Sequence, residues 1–396
     1  MFTRALDLSE IIQHRSLFLL GPRQTGKSTF LRNYFPAAHS INLLEHKTFL
    51  WFAEDPDRLA DAVERYLKQL KHTGVAVIVI DEIQKAPLLL DTVHRLIETH
   101  KNCRFILTGS SARKLRKSGV NLLGGRAHQY FFHPLCTQEA MSQPSAAVTW
   151  KELLVRGGLP AYVTSPDLEK DFQSYAELYL KEEIQQEALV RNLPAFSRFL
   201  HTAVGANGQQ IIFEKIAARA GVTVKSCHSY FSILEDTLIG TLLPSFKDVK
   251  KRQPVAAPKF YFFDVGVARF LQGRLQSDPF SDGSDLETFV FNELRCWNDY
   301  TQKGLATLSF WRTKGKSEVD FIVQRGKLTL ALEVKSSRRL TEHDFSGLKA
   351  FGEEDIEMKR VLVCPWAVDH ERGDGIHVLS METFLKELWA GDLIKL

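Results

Sequence analysis

The 396-residue chain reads as an α/β protein of several domains, and three observations carry that reading. Strand-like runs at 17–20, 75–80 and 103–107, the second of them six apolar residues without polar alternation, alternate with helix-like stretches through the first part of the chain. Such runs are strands buried on both faces, so a parallel sheet with helices on both sides is expected. The turn after the first run is rich in glycine and opens directly into a helix. From residue 258 a second apolar pattern begins, and it contains a hairpin whose strand ends carry acids and a lysine.

The glycine-rich turn is Gly21-Pro22-Arg23-Gln24-Thr25-Gly26-Lys27-Ser28-Thr29, which fits G-x-x-x-x-G-K-[ST]. Leu17-Phe18-Leu19-Leu20 precedes it and a helical run, 28–34, follows. The glycines let backbone N–H groups curl around phosphate oxygens, and a helix N-terminus favours negative charge. Lys27 is then placed to reach the β- and γ-phosphates, and the Ser28 hydroxyl to ligate Mg²⁺. The turn therefore predicts a nucleoside triphosphate site. Hydrolysis also needs a carboxylate for the metal and a group that polarises water. The strand at 75–80 ends in Asp81 and Glu82, which supply them: Asp81 for Mg²⁺, directly or through water, and Glu82 for the attacking water. The competing reading is a capped strand end with two solvated acids.

The strand at 103–107 ends in Thr108-Gly109-Ser110-Ser111. Ligands of such sheets sit at the carboxyl ends of strands, so Thr108 or Ser110 is the candidate γ-phosphate sensor, with turn chemistry as the alternative. Arg113, Lys114, Arg116 and Lys117 follow, then Gly124-Gly125-Arg126. An arginine finger in cis or across a subunit interface would come from this stretch, Arg126 first, though each is equally a solvated charge. Further elements are expected at 40–44, 57–70, 88–99 and 129–132.

Composition narrows the classes. The length calls for two or three domains, and a 44% apolar fraction is ample for buried cores. A net charge of +4 creates no strong global field, so any nucleic-acid site is a local patch. Cys103, Cys136, Cys227, Cys296 and Cys364 lack paired spacing, which argues for reduced thiols in a cytoplasmic protein and against a zinc site. No signal pattern and no span-length apolar run is present, so a soluble protein with no membrane partner is expected.

Residues 142–147 read as a linker, and 150–200 as helical, broken by Gly157-Gly158-Leu159-Pro160; this is a lid or connector. The acid-rich stretch Glu177 to Glu187 reads as a surface helix. Residues 212–217, a turn at Ala220-Gly221-Val222, a helix at 224–234 and a strand at 238–243 follow the order of a winged helix-turn-helix. Lys225, Ser226, His228 and Ser229 would face outward on the second helix for nucleic-acid contact, or the module serves protein contacts only. The loop with Lys247, Lys250, Lys251 and Arg252 would be the wing or a solvated linker.

The second chemical site lies in 317–336. Residues two apart on a strand share a face, so Glu333 and Lys335 point together, and Asp320 on the paired strand can join them. Two carboxylates with a lysine make a divalent-metal site, the acids binding Mg²⁺ and the lysine positioning water. This D-x(12)-E-x-K arrangement resembles the core of the PD-(D/E)XK nucleases, with Val319 where the proline of that name would stand. The resemblance implies one more acid from a preceding helix, with Glu287 first and Glu293 second.

With its parts in order, the chain resembles a large group of prokaryotic predicted AAA-type ATPases with a nuclease-like C-terminal half. The residues that carry this are Gly21 to Ser28, Ile80-Asp81-Glu82-Ile83-Gln84, Leu107 to Ser111 and Gly125-Arg126. Arg156-Gly157-Gly158-Leu159-Pro160, Tyr261 to Gly266, Trp311-Arg312-Thr313 and Glu333 to Ser337 complete them. The resemblance implies an AAA-type P-loop sheet over 1–140, a helical lid or connector over 141–200, a winged-helix segment over 201–257 and an α/β restriction-nuclease-like domain over 258–396. It implies ATP as the nucleotide, since no base-reading motif is evident, and a homo-oligomer, with a hexameric ring as one form. The expected function is ATP hydrolysis coupled to action on DNA or RNA. The alternative is a nucleotide-driven switch or remodelling ATPase whose nuclease-like domain only binds nucleic acid or a protein.

Overall fold

The computed structural model describes residues 2–70, 74–111, 123–142, 148–176, 192–249, 251–315 and 317–394. Arg113, Lys114, Arg116, Lys117, Glu177 to Glu187, Lys250 and most of the 142–147 linker lie outside them. The chain forms two compact units. One is Leu6–His133 with Asp236–Ile239; the other is Met1–Ala5, Pro134–Glu235 and Gly240–Leu396.

The first unit is built on five parallel strands: β1 (Ser16–Leu20), β2 (His39–Asn42), β3 (Ala76–Asp81), β4 (Cys103–Gly109) and β5 (Ala127–Phe131). Their order is β2-β3-β4-β1-β5. β1 is buried at every residue, and β3 and β4 at nearly every one, as strands covered on both faces are. The helices Lys27–Tyr34, His46–Glu54, Arg58–Gln69 and Leu89–Thr99 belong to the same unit. Leu59, Val63, Leu89, Val93 and Leu96 join the sheet residues in its core. β2 ends at Asn42 rather than residue 44, because the Asn42 side-chain carbonyl accepts the Leu44 N–H at 3.0 Å and turns the chain. Parallel pairing sets Leu20 beside Gly109 and Phe131, so the carboxyl ends of the central strands meet at one edge.

The second unit holds two sheets. β6 (Gln209–Gln210), β7 (Gly240–Leu243) and β8 (Lys259–Phe262) pair antiparallel in the order β6-β8-β7. The helices Leu193–Val204, Phe213–Ala220 and Val224–Asp236 accompany this sheet. An aromatic set of Phe199, Phe213, Phe231 and Phe260 joins helix to sheet. Gly221 closes the first helix of the pair in the left-handed region.

The six-stranded sheet comprises β9 (Thr307–Arg312), β10 (Glu318–Arg325), β11 (Leu328–Val334), β12 (Met358–Val363), β13 (His370–Glu371) and β14 (Ile376–Leu379). β9, β10 and β11 pair antiparallel, and β11, β12 and β14 run parallel.

Three sequence expectations meet a different arrangement. The division expected at 257/258 is crossed by a strand pair, with Leu243 opposite Lys259. The segment read as a lid or connector supplies Val148, Trp150, Leu153, Leu154 and Val163 to the same core as Phe289, Leu294, Phe321 and Leu332. The basic loop is neither free nor merely solvated. The Phe246 N–H donates to Phe310 at 2.6 Å, Arg252 pairs with Glu353 at 2.5 Å, and the Lys251 N–H donates to Glu354 at 2.9 Å. Lys247 and Lys251 are exposed, and Arg252 is half-buried.

Two sequence motifs turn out to be one structural joint. Asp264 accepts the N–H of Gly158 at 2.7 Å and of Val267 at 2.9 Å. Gly157 has φ +72°, and a Cβ there would lie 2.1 Å from the Asp264 carboxylate. A Cβ on Gly266 would lie 2.5 Å from the Arg156 carbonyl. Gly157→Ala is expected to destabilise the second unit by about 3 kcal/mol or more through combined clash and strain. Gly391→Ala, at φ +79° with open space around it, should cost only about 1 kcal/mol. Thermal unfolding of the two variants measures the contrast.

Candidate functional site

The turn after β1 has the shape its sequence predicts. Gln24 (φ 63°) and Gly26 (φ 91°) take left-handed backbone, curling the loop before the Lys27–Tyr34 helix. Gly21 lies so close to the chain that a Cβ would meet the Phe132 carbonyl at 2.2 Å. Thr25 donates to the Pro22 carbonyl at 2.9 Å. Lys27 is buried, and its ammonium donates to the Gly21 and Pro22 carbonyls at 2.7 and 2.9 Å. Arg23 is half-buried in the loop, while Ser28 and Thr29 are exposed on the first turn of the helix.

Asp81, at the carboxyl end of β3, collects the neighbouring hydroxyls. It accepts Ser28 at 2.6 Å and, on its other oxygen, Thr108. Thr108 in turn accepts the Glu82 N–H at 3.1 Å. Glu82 sits in left-handed backbone at φ 60° and ψ 47°, which turns its carboxylate off the strand line. Gln84 donates to the Glu82 carboxylate at 2.5 Å and to Ser110 at 3.2 Å. Sequence reading gave Gln84 no role. The available signal was Gly109, where a Cβ would lie 2.6 Å from the Gln84 side-chain carbonyl.

These residues fit Mg²⁺ and a triphosphate. Ser28 and Asp81, the two side chains that would hold the metal, are in contact, and the Lys27 ammonium rests on loop carbonyls that a phosphate would replace. Arg126 is not brought to this edge. It precedes β5, and the register puts Ala127 beside Ser16, at the amino end of β1. β1 is five residues long, so Arg126 stands about 15 Å from the turn along the strand. There it pairs with Glu98.

In the second unit, β10 and β11 bring Asp320 and Glu333 to facing positions, one step beyond the Phe321–Leu332 pair. Asp320 accepts the Val334 N–H at 3.0 Å, and Lys335 pairs with Glu333 at 2.5 Å. Glu287, on the Ser284–Thr301 helix, completes the expected acids. Glu293 does not join them, since Thr137 and Trp389 engage it at 2.7–2.9 Å. The expected metal position holds an ammonium instead. Lys259 of β8 reaches Glu318 at 2.7 Å, Glu287 at 2.8 Å and Asp320 at 3.2 Å. Among the described residues, no three His, Cys, Asp or Glu side chains are arranged to hold a metal ion. The Glu287–Asp320–Glu333 set therefore does not fit a divalent ion while Lys259 is seated.

The electrostatics follow from burial. It pushes Glu287 up to about 7, with Asp320 adding to the rise and Lys259 opposing it. Burial and Asp320 raise Glu333 well above the carboxylate range against the pull of Lys335. For Lys259, burial opposes the charge, but Glu287, Tyr261, Asp320 and Glu318 outweigh it and keep the proton on.

Residues 13–141 match the family model described as AAA domain. Residues 13–141 form an AAA-type ATPase domain. Residues 148–278 and 282–384 match models described as domains of unknown function, DUF8612 and DUF4143. A search of curated proteins finds no match. Among solved structures, the Aeropyrum pernix ORC2 protein in its ADP form is similar at 10% identity and TM-score 0.32, over 67% of this chain and 89% of that one. A DNA polymerase III gamma subunit-related protein of Thermotoga maritima is similar at 8% identity and TM-score 0.26, over 58% and 94%. A Pyrococcus horikoshii signal transduction ATPase with a tetratricopeptide repeat sensor is similar at 15% identity and TM-score 0.24, over 75% and 47%.

If Glu82 is the expected base, Glu82→Gln should lower ATP turnover by about 100-fold while leaving ATP affinity within a few-fold, because the phosphate contacts are kept. Lys27→Ala should weaken ATP binding itself by about tenfold or more. Single-turnover hydrolysis and nucleotide titration separate the two.

Proposed function

We propose that the chain is an ATP-hydrolysing switch of the AAA type that engages nucleic acid through its second unit. The observation that carries the first half is the linked set Ser28–Asp81–Thr108 and Glu82–Gln84–Ser110 at one sheet edge. Mg²⁺ bound there would offset the negative charge of the phosphates. Lys27 and the helix N-terminus orient the triphosphate, and Ser28 and Asp81 hold the metal. Glu82 takes the proton of the attacking water, and Gln84 fixes the Glu82 carboxylate. Thr108 in β4 and Ser110 just beyond its end are the candidate γ-phosphate sensors.

Support for nucleic acid comes from the order helix, β6, helix, helix, β7, β8 and the sheet order β6-β8-β7, which is that of a winged helix. On its Val224–Asp236 helix, Lys225, His228 and Ser229 are exposed, while Ser226 is tied to Thr223 at 2.9 Å. With the Arg252 guanidinium paired with Glu353 and the Lys251 ammonium donating to the Glu353 main-chain carbonyl, the helix rather than the loop is the favoured contact surface. Cleavage is not part of this function, because the acid set does not fit a metal with Lys259 seated. Arg126 lies too far from its own nucleotide turn to complete it, so a finger role for it requires a neighbouring copy in a homo-oligomer.

Labelled single- and double-stranded DNA and RNA, titrated with the protein at low salt, test the second half. Lys225→Ala with His228→Ala should weaken binding by about three- to tenfold and flatten its salt dependence. A protein that binds none of the four at low salt would remove nucleic acid from this reading and leave a protein-directed ATPase.

A further inference from the structure

The Lys259 side chain is the least expected feature of the second unit. It is 2% exposed, and its ammonium contacts three carboxylates from two elements, Glu287 on the helix and Glu318 and Asp320 on β10. The lysine belongs to neither element. It comes from β8, the central strand of the three-stranded sheet, which is hydrogen-bonded to β6 on one side and β7 on the other. Strand pairing thus fixes where its backbone lies, and a four-carbon stem does the rest. The loop before β8 adds to this, since Phe246 and Val255 are tied to Phe310 and Arg312 of β9.

Charge supports a cation replaced rather than a cation added. The cluster contains four carboxylates, Glu287, Glu318, Asp320 and Glu333, against three cations, Lys259, Lys335 and Arg312. The formal sum is one negative charge, and without Lys259 it would be two, the amount a divalent ion neutralises. Glu333 adds a second observation: its Oε2 is buried, and the residue is 5% exposed with that atom lacking a hydrogen-bond partner among the described residues. An acceptor of this kind is the donor a metal would recruit.

We infer that Lys259 is a built-in cation that takes the place of a divalent metal in the nuclease-like centre, so that the folded protein keeps this centre metal-free. A Mg²⁺ or Mn²⁺ ion cannot share three carboxylates with an ammonium already in hydrogen-bond contact with them, because the two cations repel at contact range. The inference is independent of the nucleic-acid reading, since it concerns occupancy of the centre and not what touches the unit.

The test is Mn²⁺ binding to the full-length, nucleotide-free protein, read by electron paramagnetic resonance and calorimetry. The wild type should show no Mn²⁺ site that depends on Asp320. Lys259→Met should gain about one equivalent, bound at least about tenfold tighter than to wild type, and Lys259→Met with Asp320→Asn should lose it. Lys259→Gln serves if the methionine variant fails to fold, with circular dichroism checking each protein. Mn²⁺ binding by the wild type that Asp320→Asn abolishes would overturn the inference without any Lys259 variant. A folded Lys259 variant that gains no site would overturn it equally.

Discussion

The nucleotide edge depends on one carboxylate being satisfied twice. Asp81 ends a buried strand at 7% exposure, where an unpaired charge would be costly. It accepts the Ser28 hydroxyl on one oxygen and Thr108 on the other, which joins the loop after β1 to the ends of β3 and β4. Loss of either hydroxyl leaves a buried acceptor open, a cost of about 1–3 kcal/mol. Parallel pairing makes the joint possible, because only strands running the same way deliver three successive turns to one edge. The Lys27 ammonium shows the same economy: it is held by two loop carbonyls, so phosphate binding exchanges acceptors rather than stripping water from a bare charge.

The second unit solves a harder electrostatic problem. Four carboxylates converge where water is scarce, and burial raises Glu287 and Glu333 against ionisation. At an effective dielectric near 20, an ammonium and a carboxylate 4 Å apart attract by about 4 kcal/mol. Three such partners around Lys259 offset its desolvation and keep its proton on. Lys335 cannot do this alone, since it sits on Glu333 and away from Glu287. The acid-lysine pattern of β10 and β11 is thus completed by a lysine from a different sheet.

The sequence made the first unit readable because its signals are local. Unalternated runs announced β1 and β3, and Gly21, Gly26, Lys27 and Ser28 are fixed by the backbone shape they must take. Asp81 and Glu82 were legible as a strand end. Gln84 was not, because its role exists only where β4 supplies Gly109 and Ser110 beside it. In the second unit Asp320, Glu333 and Lys335 were visible from strand alternation, and Glu287 only through the resemblance to nucleases that add an acid from a preceding helix. Lys259 was not, being 61 residues from Asp320 in sequence and indistinguishable there from an edge-strand lysine. The basic loop misled for the same reason: its partners Glu353 and Glu354 lie about a hundred residues away, and charge in a sequence does not show whether it is solvated.

The strand pairing of β8 decides what kind of element Lys259 is. A lysine on a loop could leave its carboxylates by rotating a few bonds, and the cluster would then respond to salt or to passing metal ions. Phe260 and Phe262 follow it on a strand whose N–H and C=O groups are engaged with β6 and β7, and both rings are fully buried. Moving the ammonium by more than its own stem therefore requires opening a sheet and exposing aromatic surface, at a cost far above thermal energy. The seated cation is a consequence of the fold. It follows that the helix–sheet module and the acid-bearing sheet cannot be understood as separable domains: the first carries the ion that the second needs in order to fold with its carboxylates buried.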